Sequence, residues 1–221
     1  MTEEEWLTCT DPQLMLAFLR GKASDRKLRL FAVAWGYDVR PQMLDRCSRE
    51  ADATAERYAD GLAGYEYLLA AFRRAQEAWN AIEVIRGGRH GKGIRAGKQY
   101  LASKQAAEVA RNAADPGWSR RIAPRLSWRL NAATRYALSG YLRDIIGSPF
   151  RPVTIDPNWV TSTVVGLASA IYDDRAFDRL PILADALEEA GCDSPDVLTH
   201  LRGDGPHVRG CWAVDLVLGK E

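Results

Sequence analysis

Three stretches near the end of the chain, LPILADALEEAG (180–191), SPDVLTHLRG (194–203) and GPHVRGCWAVDLVLG (205–219), each open at a proline and close on a glycine. Proline fits the first turn of a helix, where its missing N–H would have no partner, and glycine accepts the left-handed backbone that ends one. This punctuation predicts short helices folded back on one another as hairpins. The same grammar recurs upstream. Thr2 and Glu5 have capping-box spacing before Trp6, Thr10 can cap a helix whose first turn holds Asp11 and Pro12, and Ser24 can cap DRKLRLFAVAW with Gly36 as its stop.

Helical spacing of apolar residues continues through the middle, with helices expected over about 45–58, 65–85 and 99–114, and a long one from Pro124 to Ile146. Alternating β-branched runs are nearly absent, RPVTID (151–156) being the one short extended candidate. The fold class expected is therefore all-α: a single compact domain over 1–221, built of about eight to ten helices as packed hairpins. The segment RGGRHGKGIRAGK (86–98) breaks the pattern and is expected to be a basic, glycine-rich surface loop.

Composition narrows the function classes. The longest apolar run, VVGLASAIY, is half of what a membrane span needs, so no membrane partner is expected. The acidic start MTEEEWLTCT lacks the basic and apolar parts of a secretory signal. Four cysteines, at 9, 47, 192 and 211, follow no disulfide spacing, so reduced thiols and a cytoplasmic location are expected. Charge is uneven. Residues 86–129 carry eleven Arg or Lys against two acids, a net of +9, whereas 151–221 carry a net of −6.

Chemistry-bearing motifs are few. A phosphate-binding loop would need GxxxxGK followed by Ser or Thr, which the basic segment does not contain, and there is no GxSxG, HExxH or dinucleotide-binding glycine pattern. No catalytic residue is assigned. Asp173, Asp174 and Asp178, interleaved with Arg175 and Arg179, read as a surface ion-pair cluster. Arg89, Lys92, Arg95 and Lys98, with Tyr100, Trp118 and Trp128 nearby, are the candidates for binding a nucleic-acid backbone or another anion. Internal neutralisation by the acidic third is the competing explanation.

The densest set lies in GCDSPDVLTHLRGDGPHVRGCW (191–212), which holds two of the three histidines and two of the four cysteines. In a helical hairpin His200 ends one helix and His207 begins the next, while His207 and Cys211, four apart, share a face. These three form a candidate zinc set, needing Asp204 or a distant residue as the fourth ligand. Cys192 is about 12 Å from His200 along a helical rise and is excluded. Plain packing is the leading reading of these residues, with Cys211 beside Val208, Trp212 and Leu216 and the imidazoles hydrogen-bonded near helix ends, and zinc is the alternative. No cofactor is expected, zinc at this set being the one alternative.

The stretches EEEWL, DPQLMLAFLRGKASDRKLRLFAVA, LRDIIGSPFRPVTIDPNW, IYDDRAFDRLPILADALEEAGC and HVRGCWAVDLVLGKE resemble a helical protein family abundant in planctomycete bacteria, over roughly the first 34 and last 80 residues. The resemblance carries no activity, ligand or catalytic residue. Family members continue after FAVA with a Cys- and Arg-rich helix where this chain has WGYDVRPQM, so a function housed at 35–43 would be missing here. With many Trp and Tyr and little recognisable chemistry, the leading expectation is a non-enzymatic protein-interaction or scaffolding module whose partner is another protein. Nucleic-acid binding through 86–129 and zinc binding through the terminal hairpin are the alternatives.

Overall fold

The computed structural model describes residues 1–87, 94–117 and 130–220. Among them are eleven α-helices, three short 3-10 turns and no strand, so the fold is all-α and RPVTID is irregular. No described helix is long and apolar enough to cross a membrane. Contacts divide the chain into two compact units: Asp25–Leu126, and Met1–Ser24 together with Ser127–Glu221. In sequence, the first is an insertion into the second.

The inserted unit holds α3 (Asp25–Val39), α4 (Arg46–Ala59), α5 (Tyr65–Gly87) and α6 (Ile94–Ala114). Its helices meet through alanine. Ala51 and Ala55 of α4, Ala71 and Ala75 of α5, and Ala106, Ala110 and Ala113 of α6 are all buried, and such small side chains let helix backbones approach closely. Gly36 was expected to end α3 but lies inside it. A Cβ there would sit 2.2 Å from Oδ1 of the buried Asp52 on α4, so this glycine makes room for a neighbour instead of stopping the helix. Arg29 is also buried. Its Nη1 donates to the carbonyls of Ala113 and Asp115, at 2.6 and 3.2 Å, satisfying acceptors that the end of α6 leaves open.

Both ends of the expected basic loop 86–98 are helical, and its centre, 88–93, lies outside the described residues. Arg86 and Gly87 complete α5, and α6 opens at Ile94 in place of Gln99, because Arg, Ala, Lys and Gln around Gly97 favour helix enough to offset one glycine at about 1 kcal/mol.

The other unit begins with α1 (Glu3–Thr8) and α2 (Pro12–Leu19). The capping box forms: the Thr2 hydroxyl accepts from the Glu5 N–H at 3.2 Å, and the Glu5 carboxylate accepts from the Thr2 N–H at 2.7 Å. The cap of α2 is Asp11, not Thr10, since Pro12 takes the first helical position and makes its predecessor the cap. After the insertion come α7 (Ala132–Ile146), α8 (Ser162–Asp174), α9 (Leu180–Glu189), α10 (Pro195–Arg202) and α11 (Trp212–Leu218). The helix expected from Pro124 starts, among the described residues, at Ala132, where the Asn131 side chain accepts the Thr134 N–H at 2.8 Å. Helices α8 to α11 bury one shared apolar core that includes Tyr172, Leu183, Leu187, Leu201 and Val214.

Candidate metal centre

Helix α7 buries Leu138, Leu142 and Ile145, and beside them runs a second stripe at helical spacing: Gly140, Asp144 and Gly147. A Cβ at Gly140 would lie 2.8 Å from Cγ of Pro206, and one at Gly147 would lie 3.0 Å from the Trp212 ring. The two glycines thus let the terminal segment lie flat on the helix. Between them a carboxylate is almost wholly buried, Asp144 being 2% exposed. Burial of a bare carboxylate is costly unless it is paired and hydrogen-bonded.

Asp144 is supplied on both sides. Its Oδ2 accepts the Val208 N–H at 2.8 Å, while Oδ1 lies 2.8 Å from His207 Nδ1 and 3.1 Å from His200 Nε2. His200 comes from the last turn of α10, His207 from the connecting segment 203–211, and the N-cap of α11 is Cys211, whose Sγ is 3.2 Å from His200 Nε2. The two imidazoles stand 5.0 Å apart, centre to centre, and perpendicular at 89°. One ligand atom each from Asp144, His200, His207 and Cys211 can be chosen so that all lie within 4.8 Å of one another. Ligands at about 2.0–2.3 Å from a tetrahedral ion are about 3.3–3.7 Å apart, so small side-chain rotations suffice to close the set.

The surroundings prepare these atoms. His207 Nε2 lies 3.1 Å from the Gly203 carbonyl, the outer hydrogen bond by which a ligating histidine is oriented. Backbone N–H groups of Val214 and Ala213 point at the Cys211 sulfur and favour its thiolate. Burial and the Asp144 charge act the other way and push the Cys211 thiol well above its ordinary value. Burial opposes charge on Asp144 and His207 as well, yet contacts with His200 and His207 bring the Asp144 pKa down, and contacts with Asp144 and the Gly203 carbonyl bring the His207 pKa up. Both ring nitrogens of His207 face acceptors, Asp144 and Gly203. These two acceptors favour the doubly protonated ring when no ion is bound, in keeping with the raised His207 pKa. A cation held at the centre would take the place of the inner proton and compensate the thiolate. This buried Asp, His, His and Cys group can hold a metal ion, and its sulfur and nitrogen donors suit zinc-like ions over calcium or magnesium.

One expectation about this region needs correction, and of the two options for a fourth ligand the structure brings the distant residue into the cluster. His207 and Cys211 do not share a helical face, because α11 starts only at Trp212. Gly205 and Gly210, at φ +86° and +94°, turn the backbone, and Pro206 packs against Gly140 where the sequence suggested a helix start. Asp204 is exposed and is not in the cluster; the carboxylate is Asp144, 63 residues before His207. Cys192 lies in the apolar core, outside the ligand set. Asp144 could have been noticed as an acid on the Gly140–Gly147 stripe of a helix whose neighbouring face is apolar.

Of the candidate anion-binding residues, Arg89 and Lys92 lie outside the described residues, as do the side chains of Arg95 and Lys98, whose backbone is in the opening turns of α6. Further along the basic segment, Lys104 and Arg111 face the Trp79 ring at 5.4 and 4.9 Å, and Arg111 is 3.6 Å from Glu108, so part of the positive charge is used inside its own unit. Compared with protein-family models, curated proteins and solved structures, the chain matches none, and the reading of the site stands on its geometry.

Proposed function

We propose that this chain is a zinc-binding protein in which Asp144, His200, His207 and Cys211 hold the ion, and the ion fastens the terminal segment to α7. The observation that carries this reading is convergence: a helix, a helix end, an irregular segment and a helix cap bring four ligand atoms within 4.8 Å. A packed cysteine needs no buried carboxylate at its side, and two hydrogen-bonded imidazoles need no thiol. Together they offer a cation two anionic and two neutral donors in one place. The test is metal content. Purified protein should carry about one equivalent of zinc, retained in Cys192→Ala and lost in Asp144→Ala and His207→Ala. Metal-free protein whose melting temperature does not move on adding zinc would refute the reading.

A second reading, recognition of another protein, is favoured by a separate feature. Leu14, 59% exposed, borders a cavity of about 580 Å³ lined also by Cys9 and Phe18, and Leu7, 57% exposed, is on the adjoining α1. Cross-linking in the source cell that is abolished by Leu14→Glu would support it, and unchanged cross-linking would remove it.

A further inference from the structure

The four ligand residues are not equally enclosed. Cys211 is 1% exposed and Asp144 2%, whereas the His200 side chain keeps 21% of its surface. A cavity of about 240 Å³ explains the difference: its wall includes Asp144, His200 and His207, together with Tyr136, Arg143 and Asp204, but not Cys211. Sulfur therefore lies on the core side, and Asp144, His200 and His207 border the opening, His200 being the most exposed of them at 21% against 9% for His207. Asp144 can give the ion only one oxygen, since its other oxygen is held by the Val208 N–H. The protein thus supplies four donors at most, and zinc and cobalt both accept a fifth.

Charge permits an anion in that position. A divalent ion with one carboxylate, one thiolate and two neutral imidazoles is neutral overall, so a monoanion meets no net repulsion from the centre. Among the described residues the exposed Asp204 is the one charged side chain at the rim, since the Arg143 guanidinium is held by the Trp6 and Cys9 carbonyls, and Asp204 opposes an incoming anion. The space is about 240 Å³ and opens to solvent, enough to admit a small ligand such as acetohydroxamate. Resting on the reading of this cluster as a metal centre, we propose that the ion keeps an exchangeable position on its cavity side, which binds a small oxygen-donor anion such as a carboxylate or hydroxamate.

Cobalt(II) loaded into the full chain makes this testable, with acetohydroxamate as the probe. A sulfur-to-cobalt charge-transfer band reports that Cys211 holds the ion, and the visible ligand-field bands report coordination number. The expected result is a persistent charge-transfer band with a loss of ligand-field intensity as the probe is added. Asp204→Asn should then bind the probe ~3-fold more tightly with unchanged metal content, as removal of one like charge at the rim requires. A charge-transfer band with ligand-field bands indifferent to the probe overturns the open position and leaves the metal centre standing. Absence of the charge-transfer band overturns both.

Discussion

Zinc affinity should rise steeply with pH, and the slope follows from two protons that the structure places. Below its raised pKa the metal-free His207 is protonated on both ring nitrogens, which face Asp144 and the Gly203 carbonyl. Cys211, with its pKa pushed well above the ordinary thiol value by burial and by Asp144, is a thiol. An incoming ion displaces both protons. Each contributes tenfold per pH unit, so together they give ~100-fold, about 2.7 kcal/mol, for each unit below the raised His207 pKa. Above that pKa only the thiol proton remains to be displaced, and this contribution falls to ~10-fold. Competition against a chromophoric chelator from pH ~5.5 to ~7.5 measures the slope. Cys211→Ser should weaken binding and remove one power of ten from the low-pH limb. Affinity that does not change with pH, or a slope unaltered in Cys211→Ser, would refute the proton assignment and the ligand set built on it.

Without zinc, the Asp144–His207 pair should give a stability maximum in pH. The raised His207 pKa contributes stability that is complete below about 6.5 and is lost as pH rises through the folded value, while the lowered Asp144 pKa contributes stability present above about 3.9 and lost as pH falls through its folded value. Melting temperatures of the chelator-treated protein should therefore peak between these limits, and a flat profile would count against the pair. Gly140→Ala forces a methyl group to 2.8 Å from Pro206 and should cost about 1–3 kcal/mol in urea unfolding while lowering zinc affinity. Changing Arg89, Lys92, Arg95 and Lys98 to Ala should abolish any salt-sensitive binding of DNA or RNA measured by fluorescence anisotropy; binding that survives the change places it elsewhere on the chain.

The helical class was legible because caps and stops are local chemistry: Thr2 with Glu5, Asp45 before α4, and Gly147 after α7 act within one turn. The errors arose where tertiary contacts decide. Gly36 looks like a stop in sequence, but the proximity of Asp52 explains it, and Pro206 looks like a helix start until Gly140 is set beneath it. The candidate site was legible in the same proportion. His200, His207 and Cys211 stand out because histidine is scarce in this chain and the three fall within twelve residues. Asp144 is one of many acids, and its importance comes from packing that brings α7 against a segment 63 residues away.

X-ray absorption at the zinc edge of the purified protein tests the central claim most directly, because the proposed ligand set has a definite inner shell. The account predicts one sulfur at about 2.3 Å and the remaining nitrogen and oxygen scatterers at about 2.0–2.1 Å, with the outer-shell pattern of two imidazoles. A shell of nitrogen and oxygen alone, a shell with two or more sulfurs, or protein that binds no stoichiometric zinc would contradict it.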